Sequence, residues 1–363
     1  MRPTLESLIP LAADSAAVLV VAAAAAPHQV LEAIASPPLP YRVIFFAAPH
    51  LHILQDFLLA HGQGNGLMPF SLYGYAQMRN LMLILANILE AEILVSLDDD
   101  VRVADADFLA KVEENFALLS PDHPRFGLAG IYQNPDGSVL LPEPTAAWTV
   151  PWPKIRWMND AFKELFLSGP RLKPTPLALG GNLALTADLF RQLPFDPGIA
   201  RGEDIDYVLN ARMFKIPFFL DNTLKVIHQP GDKPYPLWVQ LRQDLQRFCY
   251  TRRKLSDQKP EPGMTLITPD ELKPYPGNFL QADLESRAYQ SHHLLAQEYQ
   301  AKGEAQAARH TLENLAWISR VNNTRKNVFQ TYLDLVHGWQ ALQAWLAQPR
   351  IAAAARQALW GIP

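Results

Sequence analysis

Residues 92–103, EILVSLDDDVRV, decide how the rest of the chain is read, because a short apolar run ends abruptly in three consecutive aspartates. Ile93, Leu94, Val95 and Leu97 are too few for a core helix, and the β-branched residues among them favour a buried parallel strand. Asp98, Asp99 and Asp100 then sit just past its carboxyl end, where open α/β sheets bind ligands. Three adjacent carboxylates repel one another unless a cation or a donor network neutralises them, which points to a hard divalent metal such as Mg²⁺ or Mn²⁺. The competing reading is a solvated acidic turn that caps the next helix, since Asp105 and Asp107 also precede an amphipathic segment.

Upstream, AAVLVVAAAAA (16–26) reads as a buried strand, HQVLEAIAS as a short helix and YRVIFFAA as a second strand. Together they form a right-handed β-α-β unit and imply a parallel sheet. HGQGNG (61–66) lacks the Lys-Ser or Lys-Thr ending of a phosphate loop and reads as a plain loop. From Tyr75 to Glu90, Met78, Leu81, Met82, Leu85, Ile88 and Leu89 recur at helical spacing. Gln77, Arg79 and Asn80 are the polar residues of its first turn. A cation there, beside free backbone N–H groups, suits a diphosphate; an exposed arginine is the alternative.

Downstream, a helix over Asp105–Leu119 and a strand FGLAGIY lead to Ala146–Met158, where Trp148, Trp152 and Trp157 stand with the prolines Pro151 and Pro153. Neither a regular helix nor a central strand accommodates that segment. Its tryptophans either stack on sugar rings or seal the core under a loop. The block ALGGNLALT (178–186) has a glycine pair that allows close backbone approach to a ligand. GEDIDYVLNAR (202–212) then opens a helix with Glu203 and Asp204 at its positive end, the placement of a general base beside an apolar surface. His228 ends a further strand pattern, either as a third metal ligand or as a packed histidine.

With 363 residues and a 49% apolar fraction, the expectation is about two domains: an α/β domain over 1–235 and a helical C-terminal region over 236–363, after the chain turns rich in Ala, Gln, Leu and Trp. A net charge of −4 provides no polyanion-binding field, so nucleic acid is not an expected partner. The lone Cys249 allows no intrachain disulfide or thiolate metal site, which fits a reducing cytoplasm. No apolar run reaches the roughly 20 residues of a membrane span. The stripe Trp339, Leu342, Trp345 and Leu346 reads as a cap or an assembly surface, with peripheral membrane contact the minority alternative.

Taken in order, QMRN, SLDDD, GGNLALT, GEDIDYVLNAR and IHQ resemble a GT-A glycosyltransferase, closest to the family 2 type, over roughly Ala16–Pro234. The resemblance implies a Rossmann-like nucleotide-diphospho-sugar transferase domain with a mostly parallel sheet, and transfer of a sugar from a nucleotide-diphosphate donor to an acceptor hydroxyl with inversion. Asp98 and Asp100 match the D-x-D metal aspartates, and His228 resembles the metal-ligating histidine. Arg79, Asp98 and Asp99 make up the expected donor side. Gly181 and Asn182 match the acceptor-side motif, with Trp152 added as a sugar platform. Asp204 matches the base, with Glu203 supporting it. One departure is that the chain reads FFAAPHLH after the second strand, where such enzymes carry an acid for the nucleobase. The alternatives are a retaining GT-A enzyme, a nucleotidyltransferase of similar fold, and an inactive carbohydrate-binding scaffold.

Overall fold

The computed structural model describes residues 1–11, 17–23, 27–35, 38–63, 69–229, 231 and 235–362. Gly64 and Gly66 of the glycine loop, residues 24–26 of the first apolar run and most of the stretch after His228 lie outside them.

The chain begins with α1 (Arg2–Ser7), then β1 (Val18–Val21), α2 (Pro27–Ala35) and β2 (Val43–Phe46). As expected for a β-α-β unit, β1 and β2 pair in parallel, and they form a two-stranded sheet of their own. Next come α3 (Ala48–Ala60), α4 (Tyr75–Ile88), β3 (Ile93–Leu97), β4 (Val101–Val103), α5 (Phe108–Leu119) and β5 (Gly127–Gln133). They are followed by α6 (Lys154–Phe166), β6 (Leu172–Pro174), β7 (Asn182–Thr186), α7 (Ala187–Gln192), α8 (Glu203–Met213) and β8 (Phe218–His228). The helical remainder comprises α9 (Leu237–Ser256), α10 (Leu284–Ala301), α11 (Ala305–Glu313), α12 (Ala316–Asn322), α13 (Val328–Leu346) and α14 (Pro349–Trp360).

The main sheet has the order β3-β7-β5-β8-β4, with β6 added against β8. The fold is α/β, but this sheet is mixed and not mostly parallel. Only β5 and β8 run in parallel, while β3–β7, β5–β7, β4–β8 and β6–β8 are antiparallel. β7 enters between β3 and β5 running against both, so those two co-directional strands are not neighbours. A fully buried strand shows the same apolar run in either direction, which is why the sequence pattern did not distinguish the two.

Side chains alternate across the sheet. Leu183 and Leu185 of β7 join the core beneath α4, α7 and α8, whereas Ala184 joins the opposite core, where Phe108, Val112 and Phe116 of α5 pack. The first of these cores continues without a break into α9, α13 and α14. Two buried asparagines fix α4 in this layer. Asn80 accepts from the Phe195 N–H and donates to the carbonyls of Pro69 and Phe195. Asn87 donates to the Gln343 carbonyl and side chain on α13. Asn80 is therefore committed to backbone groups, and of the three polar residues at the start of α4 it is Arg79 that reaches the sheet end.

The order of the strands explains the position of the aspartates. β3 lies at one end of the sheet order and β4 at the other, so Asp98, Asp99 and Asp100 carry the chain across the sheet end. They pass the start of β7 and the ends of β5 and β8, and each meets what those strands present.

Candidate active site

Register places Leu97 opposite Asn182, so Asp98 comes to lie against Gly181. The Asp98 carboxylate accepts from Arg79 Nη2 at 2.6 Å and from the Tyr132 hydroxyl at 2.9 Å, and that hydroxyl accepts from the Gly181 N–H at 2.8 Å. Arg79 also donates to Ser96 Oγ and lies 3.7 Å from Glu203 Oε1. Burial works against the Arg79 charge, but Asp98 and Glu203 outweigh it and raise its pKa. Tyr132 is pushed well above the ordinary phenol range by burial and by the neighbouring Asp98 charge, so it stays a hydroxyl donor.

At the other residue of the glycine pair, the Asp204 carboxylate accepts from the Gly180 N–H at 2.9 Å and from the Ile205 N–H at 2.8 Å. Gly202 adopts φ 77° as the N-cap of α8, a left-handed conformation that favours glycine. Glu203 is buried beneath it. Burial and then the adjacent Asp204 push its carboxyl up to about 7, against the pull of Arg79.

Asp100 meets the end of β8. Its Oδ2 lies 3.4 Å from His228 Nε2, and the His228 ring packs on Tyr132 with centroids 4.7 Å apart. The hydrogen bond from His228 holds the Asp100 carboxyl below its ordinary value, against partial burial. Asp100 Oδ1 is buried with no hydrogen-bond partner. Among the described residues there is no cluster of three or more His, Cys, Asp or Glu able to hold a metal. The set Asp98, Asp100 and His228 is not brought together as three ligands, because Asp98 is turned to Arg79 and Tyr132. The pair Asp100–His228 with its orphaned oxygen still fits Mg²⁺ or Mn²⁺, which are commonly held by one or two carboxylates plus substrate phosphates.

Three other residues singled out from the sequence lie elsewhere. Asp99 is exposed; its carbonyl, not its carboxylate, is held by Thr4 and the Met1 amine, at the rim of a cleft of about 530 Å³ that Asp100, Arg102 and Gln229 also line. Asn182 is buried inside the sheet, where its amide donates to the carbonyls of Ile131 and Leu224. Its side chain is used to join strands and does not face the cleft. Trp152 is packed in the core against Phe248, Phe279 and His292, with only 2% of its surface exposed. Of the two readings of the tryptophan segment, Trp152 and Trp157 take the core-sealing one, because the apolar sides of α9 and residues 277–280 are there to be covered.

The site also contains groups that the sequence patterns did not single out. Tyr132 lies near the end of β5, at the sheet end that the aspartates cross, and that position was its only signal. Tyr75, on the first turn of α4, has its phenol raised by burial and by the charges of Glu203 and Asp98, with Arg201 opposing. Lys154, Arg201, Asp244 and Arg247 lie around Gly202 and come from separate parts of the chain.

No protein-family model and no curated protein matches this chain. Among solved structures it is similar to the mannosyltransferase PcManGT from Pyrobaculum calidifontis in complex with GDP-Man and Mn²⁺. That match has 15% identity and a TM-score of 0.42, covering 99% of this chain and 82% of the other. It is also similar to GalNAc-T7 with UDP, GalNAc and Mn²⁺, at 15% identity and a TM-score of 0.33. That second match covers 69% of this chain, which spans about half (52%) of the other. Among the described residues, no helix is long and apolar enough to cross a membrane.

Proposed function

We propose that the protein is a metal-dependent glycosyltransferase that moves a sugar from a nucleotide-diphosphate donor to an acceptor hydroxyl, with inversion. The observation that carries this reading is the constellation around Gly180 and Gly181. The Gly181 N–H meets the Asp98–Tyr132–Arg79 network and the Gly180 N–H meets Asp204, with Arg79 lying against Gly180 as well. Two carboxylate centres gathered on one glycine pair supply what donor activation and acceptor deprotonation require.

In this reading Asp100 and His228 hold a divalent cation, which when bound neutralises charge on the donor's diphosphate. Arg79 is fixed by Ser96 and Asp98 and supplies positive charge to the same side. Asp204 takes the acceptor hydroxyl's proton. Its two backbone hydrogen bonds orient it, and a carboxylate with about four lone-pair sites keeps two free for that proton. In a single displacement the hydroxyl that Asp204 deprotonates attacks the anomeric carbon from the face opposite the leaving diphosphate, so this reading carries inversion of the anomeric configuration. Glu203 is a rival for the base's role within the same reading, since burial lifts it near the pKa that suits a base at neutral pH. Its proximity to Arg79 and its burial favour a supporting role.

The test is turnover of a panel of nucleotide sugars with and without Mn²⁺, on wild type, Asp204→Asn and Glu203→Gln, with NMR of the product's anomeric centre. Asp204→Asn should lose about 10²- to 10⁴-fold in turnover with donor affinity retained, and Glu203→Gln should lose less. Retention of configuration, or wild-type turnover of Asp204→Asn, would overturn the assignment.

A further inference from the structure

Resting on the glycosyltransferase reading, the geometry points to an acceptor that carries an anionic group, a phosphate or a carboxylate, bound by Arg201 beside Lys154 and Arg247 next to the Asp204 end of α8. Arg201 directly precedes Gly202, the N-cap of the helix that carries Glu203 and Asp204. A Cβ at Gly202 would collide with the Arg247 guanidinium, so that cation lies directly against the same turn. Lys154 at the start of α6 reaches Asp244 of α9 with two bonds of 2.7 and 2.8 Å. Three cations thus share one carboxylate of their own, Asp244.

How each cation is engaged separates them. Lys154 is satisfied by Asp244. Arg247 donates to the Tyr275 hydroxyl and stacks on the rings of Phe248 and Tyr275. Arg201 is partly buried and, among the described residues, makes no hydrogen bond or ion pair. It is nevertheless near enough to act electrostatically on Lys154, Asp244 and Tyr75. Burial, with Arg201 and Arg247 adding to it, lowers Lys154 to about 8 despite its Asp244 partner. An unpaired guanidinium in a partly desolvated, cation-rich corner costs free energy unless an anion arrives, and its planar fork suits phosphate or carboxylate.

The location argues for the acceptor and against the donor. Arg79 and Asp100 serve the donor side in our reading, whereas Arg247 is the cation on which the Asp204 charge acts. An acceptor anchored by its anion at Arg201 would present a hydroxyl to Asp204 only if the two groups are close together in the molecule. A compact hydroxy acid or sugar phosphate meets that condition, and so does a lipid phosphate that also bears a hydroxyl near its headgroup.

The experiment uses the full-length protein with matched acceptors: glycerol, glycerate and glycerol 3-phosphate; glucose, glucuronate and glucose 6-phosphate; and a phosphatidylglycerol-containing vesicle for the lipid-borne case. The expected result is transfer to a charged member well above its neutral partner. Arg201→Gln should reduce the ratio of kcat/KM for charged over neutral acceptor by about 10- to 100-fold, with Arg201→Lys between the two. A ratio is insensitive to a general loss of fold, which thermal melting checks separately. Inorganic phosphate should inhibit competitively against the charged acceptor and not against the donor. Equal use of neutral and charged acceptors, an unchanged ratio in Arg201→Gln, or an effect on donor KM alone would overturn the proposal. If no nucleotide sugar is bound or turned over, the glycosyltransferase reading fails instead. The anion site is then judged by calorimetric binding of inorganic phosphate to wild type against Arg201→Gln, and equal binding, or none to wild type, rejects it.

Discussion

Replacing Gly181 by alanine tests whether the Asp98–Tyr132 network is the pivot of the site. Gly181 does not adopt a positive φ, so its need for glycine comes from space alone. A Cβ built there would lie 2.2 Å from Tyr132 Oη and 2.5 Å from Asp98 Cγ. Ordinary contact needs roughly 3.5 Å, so the hydroxyl and the carboxylate must each retreat by roughly 1 Å. That retreat breaks the Gly181–Tyr132 and Tyr132–Asp98 hydrogen bonds in a partly buried setting. Overpacking costs about 1–3 kcal/mol and a buried group left unsatisfied a further ~1–3 kcal/mol. We therefore expect Gly181→Ala to lose about 2–4 kcal/mol in urea unfolding, bounded above by whatever the backbone relaxes. On the proposed reading, in which Asp98 serves the donor, a displacement of this size should also cost on the order of 10²-fold in turnover. The companion variant Tyr132→Phe removes the nearer clashing atom. Gly181→Ala/Tyr132→Phe should be less destabilised than the sum of the two single variants, because the steric part of the cost is shared. Wild-type stability for Gly181→Ala, or strict additivity of the pair, would refute the argument that this glycine is there for close packing.

Three further outcomes are expected. Asp100→Ala should abolish the Mn²⁺ dependence of nucleotide binding in calorimetric titration with GDP or UDP, and His228→Ala should weaken it more mildly; an unchanged Mn²⁺ response in Asp100→Ala would remove that residue from the metal site. Because the folded-state pKa of Glu203 is raised to about 7, the stability tied to its protonated form is fully present below the ordinary value near 4.5 and is lost as pH rises through 7. Wild type should thus lose up to ~3 kcal/mol between pH 4.5 and 8 that Glu203→Gln retains, measured by thermal melting across that range, and parallel pH profiles would contradict it. Lys254 is fully buried, with Nζ 2.6 Å from Asp196 and 3.0 Å from Asp206, so Lys254→Met should cost about 3–5 kcal/mol by stranding two carboxylates, and a loss under 1 kcal/mol in denaturant unfolding would show that the pocket takes up water instead.

What was legible in the sequence was local. An apolar run that stops at three aspartates identifies a strand and where it ends, and Gly202 before two acids marks the start of α8. Direction and register were not legible, and they decide what each residue touches. Asn182 and Gly181 are neighbours in one motif. The pleat sends the Asn182 side chain between strands while the Gly181 N–H meets Tyr132. The tryptophan segment reads as irregular from its prolines, but proline content does not say which side of the loop faces α9. The cationic corner was invisible for a different reason. Lys154, Arg201, Asp244 and Arg247 span 94 positions (247 − 154 + 1) and come from α6, the loop before α8 and α9, so no window of sequence contains them.

That corner also bears on what the C-terminal helices do. The loop from Pro194 to Gly202 leads into the helix that carries Glu203 and Asp204, and a helix start is normally where a chain frays. Here it is held from several sides by residues beyond position 236. Lys254 of α9 joins Asp196 to Asp206 and Asn210, bridging the loop to the first two turns of α8. Tyr250 donates to Asp196 as well, while Arg247 and Asp244 occupy the side of Gly202. From α13, the Tyr332 hydroxyl donates to the Pro194 carbonyl and Trp339 to that of Phe190, fixing the start of the same loop. Trp339 belongs to the stripe that from sequence alone suited a cap or an assembly surface, and it is spent on this contact. A carboxylate that must hold its position within a fraction of an ångström gains from such buried clamps, since their loss would be felt as misplacement well before it was felt as unfolding. The helical region thus holds the start of α8 in place, and its α9 face supplies Arg247, on which the Asp204 charge acts.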